Sequence, residues 1–313
     1  MMPIRMMLMK RRRRTMRRAA LDSSDAGQPR LDIWADPKGE LRIGSLAVRV
    51  AGEGRPTLLL HGFMGSNRYW GAAYDRLADD GLLLAPDLLG FGFSRGPDRG
   101  YGPDDHGDAL VRSVAELGVG SDLLVVGHST GALLSLWLAS RYPDKVRRVV
   151  AIAPPLFRDP EHARRQIRQL GRLEQLFAFQ DWAAKIFCRH LCQKRPKLAA
   201  RLYGVIRPDL PEPILEDATR HSWTSYSETI KRVIVAAEAA QWLASATCDV
   251  ELVAGTDDRM LDLDFLRELS GQHPHVTLRI IPDGDHHLPL TQPELCLAAI
   301  AGEPNSMQTE TAV

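Results

Sequence analysis

The sequence predicts an α/β fold: a mostly parallel, doubly wound sheet with a helical cap inserted into it. Short apolar runs alternate with helical patterns along most of the chain, which is typical of strands joined by right-handed helical crossovers. The apolar runs are almost continuously Leu, Val, Ile and Ala, as expected for strands buried on both faces of a parallel sheet. The alternation breaks once, over residues 156–246, where helical periodicity continues without a convincing strand.

The elements are predicted in the following order. Residues 31–35 and 41–50 are extended runs on either side of a turn sequence at 36–39, which indicates an opening antiparallel hairpin. Buried strands follow at residues 57–60, 82–85, 123–126, 146–152, 250–254 and 276–281. Amphipathic helices are predicted at residues 69–79, 105–117, 131–141 and 263–269.

These elements divide the chain into regions. We expect a basic, disordered leader (1–28), a core in two pieces (29–155 and 247–303), the helical cap or lid between them (156–246), and a tail (304–313). The leader is rich in arginine, but the apolar stretch of an export signal does not follow it. Such charge blocks are usually solvated. A weak contact with an anionic surface is the alternative role for the leader.

Composition excludes several classes of partner. The formal net charge of +1 gives no general attraction to nucleic acid. No stretch approaches the ~20 consecutive apolar residues of a membrane span, so stable membrane insertion is not expected. Four scattered cysteines do not form the framework of a disulfide-rich protein. We therefore expect a reducing, cytoplasmic setting and a small-molecule substrate.

The strongest chemical motif is Gly127-His128-Ser129-Thr130-Gly131, which lies between a predicted strand and a predicted helix. A G-x-S-x-G sequence in that context predicts a nucleophile elbow, in which a strained turn holds the serine hydroxyl clear of the sheet. The turn also places the serine at a helix N-terminus, where developing negative charge is favoured. A serine that only caps the helix is the alternative.

With this elbow, the chain resembles the α/β-hydrolase family over about residues 31–300, in the serine-nucleophile branch that has a single His-Gly loop and a helical cap. His61 and Gly62 follow a predicted strand, as in the family's oxyanion loop. The resemblance implies that the backbone N–H groups of Phe63 and Thr130 form the oxyanion hole. The run at 87–94 is similar to the family's Asp-x-x-Gly-x-Gly-x-Ser loop, which we interpret as structural.

The family order of nucleophile, acid and base places both partners of the serine later in the chain. The acid usually lies three residues after a glycine that ends a strand, which selects Asp258 after Gly255. Asp257 is the alternative, because a shift of one residue in the loop exchanges the two. Both could also be simple turn residues.

The same resemblance selects His286 as the base, with His287 as the alternative. The sequence departs from the family pattern twice here: Asp285 stands where many members have glycine, and Thr291 where they have glutamate. The spacing to Pro293 still aligns His286 with the base of the family.

Metal binding is the competing interpretation of two clusters. The acidic and histidine residues at 283–287 contain metal-ligand types, but no H-E-x-x-H or paired C-x-x-C motif is present. Cys188, His190 and Cys192 lie close together in the cap, where core packing is the favoured role of the cysteines. We therefore expect no metal and no organic cofactor.

The resemblance implies a serine hydrolase that cleaves small to medium, mainly apolar carboxylic esters through an acyl-enzyme on Ser129. A C–C bond hydrolase or a lyase of the same fold is one alternative, since such enzymes share the triad. A non-catalytic ligand-binding protein of the same fold is the other, because fold alone does not assign function.

Overall fold

The computed structural model of the chain describes residues 41–94, 96–170, 181–208 and 210–304. The predicted leader, the strand predicted at 31–35 and the turn at 36–39 lie outside the described residues. Residues 305–313 of the predicted tail lie outside them as well.

The centre of the molecule is an eight-stranded sheet. Its strands are β1 (Leu41–Ile43), β2 (Leu46–Ala51), β3 (Arg55–Leu60), β4 (Gly81–Pro86), β5 (Leu123–His128), β6 (Val146–Ile152), β7 (Asp249–Gly255) and β8 (Val276–Ile281). The spatial order is β1-β2-β4-β3-β5-β6-β7-β8. The pairs β1–β2 and β2–β4 are antiparallel, and all other neighbours are parallel.

Burial explains why these segments form the central strands. Every residue of β5 is buried, and in β3 and β7 only the first residue is exposed. A strand that is apolar on both faces must be covered on both faces, and helices lie on both sides of this sheet. Because β3 and β5 to β8 run parallel, their carboxyl ends meet at one edge, where open α/β sheets bind ligands.

The described α-helices cover the sheet or lie between β6 and β7. They are α1 (Pro103–Glu116), α2 (Thr130–Arg141), α3 (Pro160–Leu170), α4 (Asp181–Phe187), α5 (Pro196–Ile206), α6 (Glu212–Asp217), α7 (Trp223–Thr229), α8 (Ala239–Ser245), α9 (Leu263–Gln272), α10 (Leu288–Thr291) and α11 (Pro293–Ala301). The π-helical turns Cys188–Cys192 and Ile230–Ile234 continue α4 and α7. Among the described residues, no helix is both long enough and apolar enough to cross a bilayer.

The segment between β6 and β7 is helical. Its described residues form α3 to α8 and contribute no strand to the sheet. An isolated antiparallel bridge joins the backbone of His221, between α6 and α7, to Phe91 in the loop after β4. Trp182, on α4 of this segment, is 64% exposed.

Two elements that were predicted as continuous are each divided in the structure, and a glycine lies at each division. The predicted strand at 41–50 is interrupted by a turn at Gly44 (φ 57°), so β1 and β2 form a hairpin of their own. The predicted helix at 69–79 is two 3₁₀-helices, Asn67–Trp70 and Ala72–Ala78, separated by Gly71 (φ 65°). Glycine adopts such positive φ angles without the penalty that other residues incur, and the periodicity of apolar residues does not reveal them.

Candidate active site

Ser129 lies at a sharp turn between β5 and α2. Its backbone has φ 52° and ψ −116°, a conformation that L-residues rarely adopt and that costs of order 1–3 kcal/mol. The Ser129 N–H donates to the Ile152 carbonyl at the end of β6, at 2.9 Å. The turn is therefore held by the neighbouring strand and places the hydroxyl at the sheet edge.

The glycines on either side of the serine are required by close packing. A Cβ at Gly127 would lie 2.2 Å from the Gly131 carbonyl oxygen, and a Cβ at Gly131 would lie 2.2 Å from the Leu60 carbonyl oxygen. No side chain fits at either position. The elbow is thus pressed against the end of β3, which leads into the His61-Gly62 loop.

His286 connects the serine to an acid. Its Nε2 lies 3.1 Å from Ser129 Oγ, and its Nδ1 lies 2.7 Å from Asp258 Oδ2. The Asp258 side chain is fully buried, and its second oxygen accepts the Met260 N–H at 2.8 Å. A buried carboxylate beside Nδ1 fixes the tautomer that carries its proton there, so Nε2 faces the hydroxyl with a lone pair.

Asp257 and His287, the alternatives to Asp258 and His286, contact other residues. The Asp257 side chain is exposed, and its backbone N–H donates to the Gly284 carbonyl at 2.9 Å. His287 turns away from the serine, with Nδ1 2.8 Å from the Tyr69 hydroxyl. The structure therefore brings Ser129 together with His286 and Asp258, and it brings neither alternative to the serine.

A close approach of two loops sets the distance between Asp258 and His286. A Cβ at Gly255, the last residue of β7, would lie 2.1 Å from the Gly284 carbonyl oxygen in the turn after β8. The Asp283 N–H also donates to Thr256 Oγ1 at 2.9 Å. Because these loops carry Asp258 and His286, their contact holds the carboxylate against the imidazole.

The His61-Gly62-Phe63 loop faces the elbow. A Cβ at Gly62 would lie 3.3 Å from the Ser129 Cβ. The Gly62 carbonyl accepts from His61 Nδ1 at 2.8 Å and from the Gly65 N–H at 3.1 Å. In a trans peptide the carbonyl and the following N–H point in opposite directions, so this fixed carbonyl also fixes the Phe63 N–H.

His61 is a neutral structural residue. Its Nε2 accepts the Leu88 N–H at 2.8 Å, which leaves Nδ1 as the donor to Gly62. Complete burial lowers the pKa of His61 to about 4. The Thr130 N–H belongs to the first turn of α2, where backbone donors have no partner within the helix. Among the described residues, no hydrogen-bond acceptor is found for the N–H of Phe63 or Thr130.

The loop at 87–94 is held by hydrogen bonds to the backbone. Asp87 accepts the N–H of Asn67 at 2.5 Å and the N–H of Phe93 at 2.6 Å. The Ser94 hydroxyl donates to the Asp87 carbonyl at 2.7 Å. These contacts agree with the structural interpretation of this motif.

The sequence does not point to two residues that lie beside His286, namely His128 and Tyr69. His128 Nε2 lies 2.7 Å from the His286 carbonyl, so it carries the proton and donates it there. The Tyr69 ring stacks on the His128 ring, with centroids 4.7 Å apart. Burial, reinforced by His286 and His287, lowers the pKa of His128 well below its ordinary value. The only sequence signal for His128 is its place in the elbow motif, at the variable position directly before the serine.

The polar cluster at 283–287 does not converge on a common point. His286 faces Asp258, His287 faces Tyr69, and Asp285 accepts the His287 N–H at 2.9 Å. These contacts account for three of the four acidic and histidine side chains that suggested a metal site in the sequence. The cluster belongs to the turn that carries His286.

The chain belongs to the α/β hydrolase fold family, whose family model matches residues 56–293. It is 27% identical to 2-(acetamidomethylene)succinate hydrolase of Mesorhizobium japonicum over 256 residues, which cover 82% of this chain and 90% of that protein. It is 29% identical to the probable lysophospholipase BODYGUARD 4 of Arabidopsis thaliana over 247 residues, 73% of this chain. That match spans 59% of the plant protein, which is less than two thirds of its length.

Solved structures support the same fold. The crystal structure of E-2-(acetamidomethylene)succinate hydrolase superposes with a TM-score of 0.68 at 23% identity, covering 84% of this chain and 97% of the other. A malate-bound thermophilic esterase from Thermogutta terrifontis gives a TM-score of 0.63 at 20% identity, with coverages of 84% and 97%. At these identities the likeness establishes the fold alone.

Proposed function

We propose that this chain is a serine hydrolase in which Ser129 is the nucleophile, His286 the general base and Asp258 the acid that orients the base. The observation that supports this most strongly is the chain of contacts from the Ser129 hydroxyl through the imidazole to a buried carboxylate, at 3.1 and 2.7 Å. A serine hydroxyl is a poor nucleophile at neutral pH and needs such an adjacent, oriented base.

In the first half-reaction, His286 Nε2 takes the hydroxyl proton as Ser129 Oγ attacks the carbonyl carbon of the substrate. The N–H groups of Phe63 and Thr130 stabilise the resulting oxyanion, and Asp258 stabilises the imidazolium. The imidazolium then gives its proton to the departing alkoxide. An alcohol leaves, and the acyl group remains as an ester on the serine.

In the second half-reaction, water replaces the alcohol. His286 takes a proton from the water, whose oxygen attacks the acyl carbon to form a second tetrahedral intermediate. That intermediate collapses with departure of Ser129 Oγ, which recovers its proton from the imidazolium. The carboxylic acid leaves, and the starting state of both side chains is restored.

Small to medium, mainly apolar carboxylic esters are the substrates that we propose. The Phe63 side chain, on the residue whose N–H is the proposed oxyanion donor, packs against Tyr226 and Phe91 with ring centroids 5.0 and 5.7 Å away. Trp223 extends this aromatic surface. Apolar surface beside the reacting carbonyl favours substrates with apolar groups.

Hydrolysis of p-nitrophenyl acetate and p-nitrophenyl butyrate tests the proposal. We expect Ser129→Ala to reduce kcat by roughly 10⁶-fold, as loss of a serine nucleophile does elsewhere. Ser140→Ala is the matched control, because Ser140 lies on the same helix and its hydroxyl donates to the Trp137 carbonyl. A fluorophosphonate probe should label the wild type and the control but not Ser129→Ala. Equal, slow turnover in all three proteins would contradict the proposal.

A second candidate concerns the substrate and keeps the same triad. The relative from Mesorhizobium japonicum, matched over 90% of its length, is named for hydrolysis of 2-(acetamidomethylene)succinate. Consumption of that compound with a kcat/KM above that of the esters would favour it, and its products would show whether a C–C bond is broken. A protein that turns over neither substrate and resists the fluorophosphonate would instead be a binding protein.

A further inference from the structure

Three side chains with metal-binding chemistry meet in the helical segment, away from the proposed triad. They are Cys188 and Cys192, at the two ends of the π-helical turn after α4, and His221, between α6 and α7. Their sulfur and Nε2 atoms all lie within 4.8 Å of one another, and Cys188 Sγ is 3.2 Å from His221 Nε2. The cysteines are only 2% and 4% exposed.

The ring of His221 is oriented as in a metal ligand. Its Nδ1 lies 2.9 Å from the Ala218 carbonyl, which can only accept, so Nδ1 carries the proton. The lone pair of Nε2 therefore points toward the two sulfurs. Histidines that bind metals almost always donate their other ring N–H to a carbonyl or carboxylate in this way.

The local backbone brings the two sulfurs together. Residues four apart lie on the same face of a helix, and the Gln193 N–H donates to the Cys188 carbonyl at 3.0 Å to close the wider π-turn. Such turns are rare and frequently occur at functional sites. His190, which lies between the cysteines in sequence, is exposed and does not belong to the cluster.

We propose that Cys188, Cys192 and His221 bind a thiophilic divalent cation of the zinc class. Two thiolates and a neutral imidazole are ligands that zinc prefers, and together with a divalent ion they carry no net charge. A neutral assembly lowers the cost of burying the two sulfurs, because an uncompensated buried charge is very unfavourable.

A cavity lies beside two of the three proposed ligands. Cys192 and His221 both line a cavity of about 680 Å³, whose wall also includes Tyr101, Thr219 and Arg220. Three protein ligands leave one position of a tetrahedral site open, and water from the cavity completes it. The metal would therefore be reached from this cavity.

The site lies close to the loop of the proposed oxyanion hole. The His221 ring is 5.5 Å from the Tyr226 ring, which is 5.0 Å from the Phe63 ring. Cys188 also packs in a small cluster with Tyr226. A bound cation would join α4 to the segment between α6 and α7 and would steady the aromatic rings behind Phe63.

Titration of the metal-free, reduced full-length protein with Co²⁺ tests the proposal, because Co²⁺ replaces Zn²⁺ and reports thiolate ligands by a charge-transfer band. We expect one Co²⁺ per chain, displaced by one Zn²⁺. Cys188→Ser, Cys192→Ser and His221→Gln should each weaken binding by ~100-fold or more, since changing only the outer partners of a ligand costs about 10–100-fold.

Two matched controls should retain full affinity: His190→Gln, in the same turn, and Cys248→Ser, outside the cluster. Ser129→Ala should also bind metal normally, which separates this proposal from the proposed hydrolase activity. Absence of a stoichiometric thiolate band, an unchanged Co²⁺ affinity in His221→Gln, or a weakened affinity in His190→Gln would overturn the assignment.

Cysteine alkylation of the wild-type protein tests the proposal without any substitution, so it applies even if a variant fails to fold. Zn²⁺ should slow alkylation of Cys188 and Cys192 by at least tenfold, measured by peptide mass spectrometry, and should leave Cys248 unchanged. Equal alkylation rates with and without Zn²⁺ would also overturn the proposal.

Discussion

The Thr291 hydroxyl donates to Asp285 Oδ1 at 3.0 Å. These two residues are the positions at which the sequence departs from the family pattern around the base, and the structure makes them partners. The same Asp285 oxygen accepts the His287 N–H at 2.9 Å, at the start of α10. The two departures together form a hydrogen-bonded turn directly beside His286.

Thr291→Val tests the contribution of this pair. The substitution keeps the shape of the side chain and removes its donor, so we expect the free energy of unfolding to fall by about 1 kcal/mol. Urea denaturation measures the change. Thr277→Val, at an exposed position of β8, is the matched control. Equal stabilities of the two variants would show that the hydrogen bond contributes nothing.

Substitution of the two adjacent aspartates tests the assignment of the acid. We expect Asp258→Asn to lower kcat for ester hydrolysis by about 10⁴-fold, because an amide at that place favours the wrong tautomer of the base. Asp257→Asn should remain within twofold of the wild type, since the Asp257 side chain is exposed. The reverse order of activities would transfer the role to Asp257.

His128 is expected to be a positioning residue for the base. His128→Phe removes the donor to the His286 carbonyl, so we expect kcat to fall by about tenfold, equivalent to 1.4 kcal/mol, with KM unchanged. His128→Gln, which can still donate, should recover most of the lost rate. A rise in KM alone, or no recovery with glutamine, would point to general disruption of the fold around the ring.

Gly255→Ala tests the contact that sets the distance between acid and base. The added methyl group meets the Gly284 carbonyl oxygen, so the two loops must separate. A displacement of ~1 Å costs about 10²-fold in rate, and we expect kcat to fall by that factor. Gly271→Ala on α9 is the control, because a Cβ there meets open space. Steady-state kinetics on both variants distinguishes a local contact from a general effect of adding a methyl group.

Acid should destabilise the protein through buried neutral histidines. Burial lowers the pKa of His61 to about 4 and that of His106 to about 3, from 6.5 for an exposed histidine. Between these values the unfolded chain binds protons that the native state does not, so stability falls as pH falls. Each histidine contributes about 2–3 kcal/mol between pH 6.5 and 4.5.

Urea denaturation across that pH range measures this effect. His106→Gln should reduce the pH dependence of the free energy of unfolding by close to one proton. The wild-type protein, measured in parallel, gives the reference slope. An unaltered slope in His106→Gln would show that His106 is not a source of the acid sensitivity.

The sequence predicts the sheet and the proposed triad because short stretches of neighbouring residues are enough to identify them. Each proposed site residue follows a strand of nearly continuous apolar residues, and carboxyl ends of parallel strands meet at one edge of a sheet. The broken helix at 69–79 was missed because periodicity does not report the positive φ of Gly71. The sequence does not reveal that His128 and Tyr69 lie beside His286, because their contacts join residues far apart in the chain.

The proposed metal ligands also include a contact between distant residues that the sequence does not predict. Two cysteines lie four residues apart with His190 between them, and this spacing suggests His190 as the third residue of the cluster. The structure instead brings His221 to the cysteines, although it lies 33 residues from Cys188. Spacing along a helix identifies a shared face, but only the tertiary fold identifies the residue that packs opposite it.

The bridge between the backbones of Phe91 and His221 ties the helical segment to the loop after β4. The helical segment leaves the sheet after β6 and returns at β7, and this bridge fastens it at a third point. Hinge motion of this segment as one body, away from the loop after β4, would have to break the bridge. The bridge therefore couples the position of α6 and α7 to the loop that packs beside Phe63.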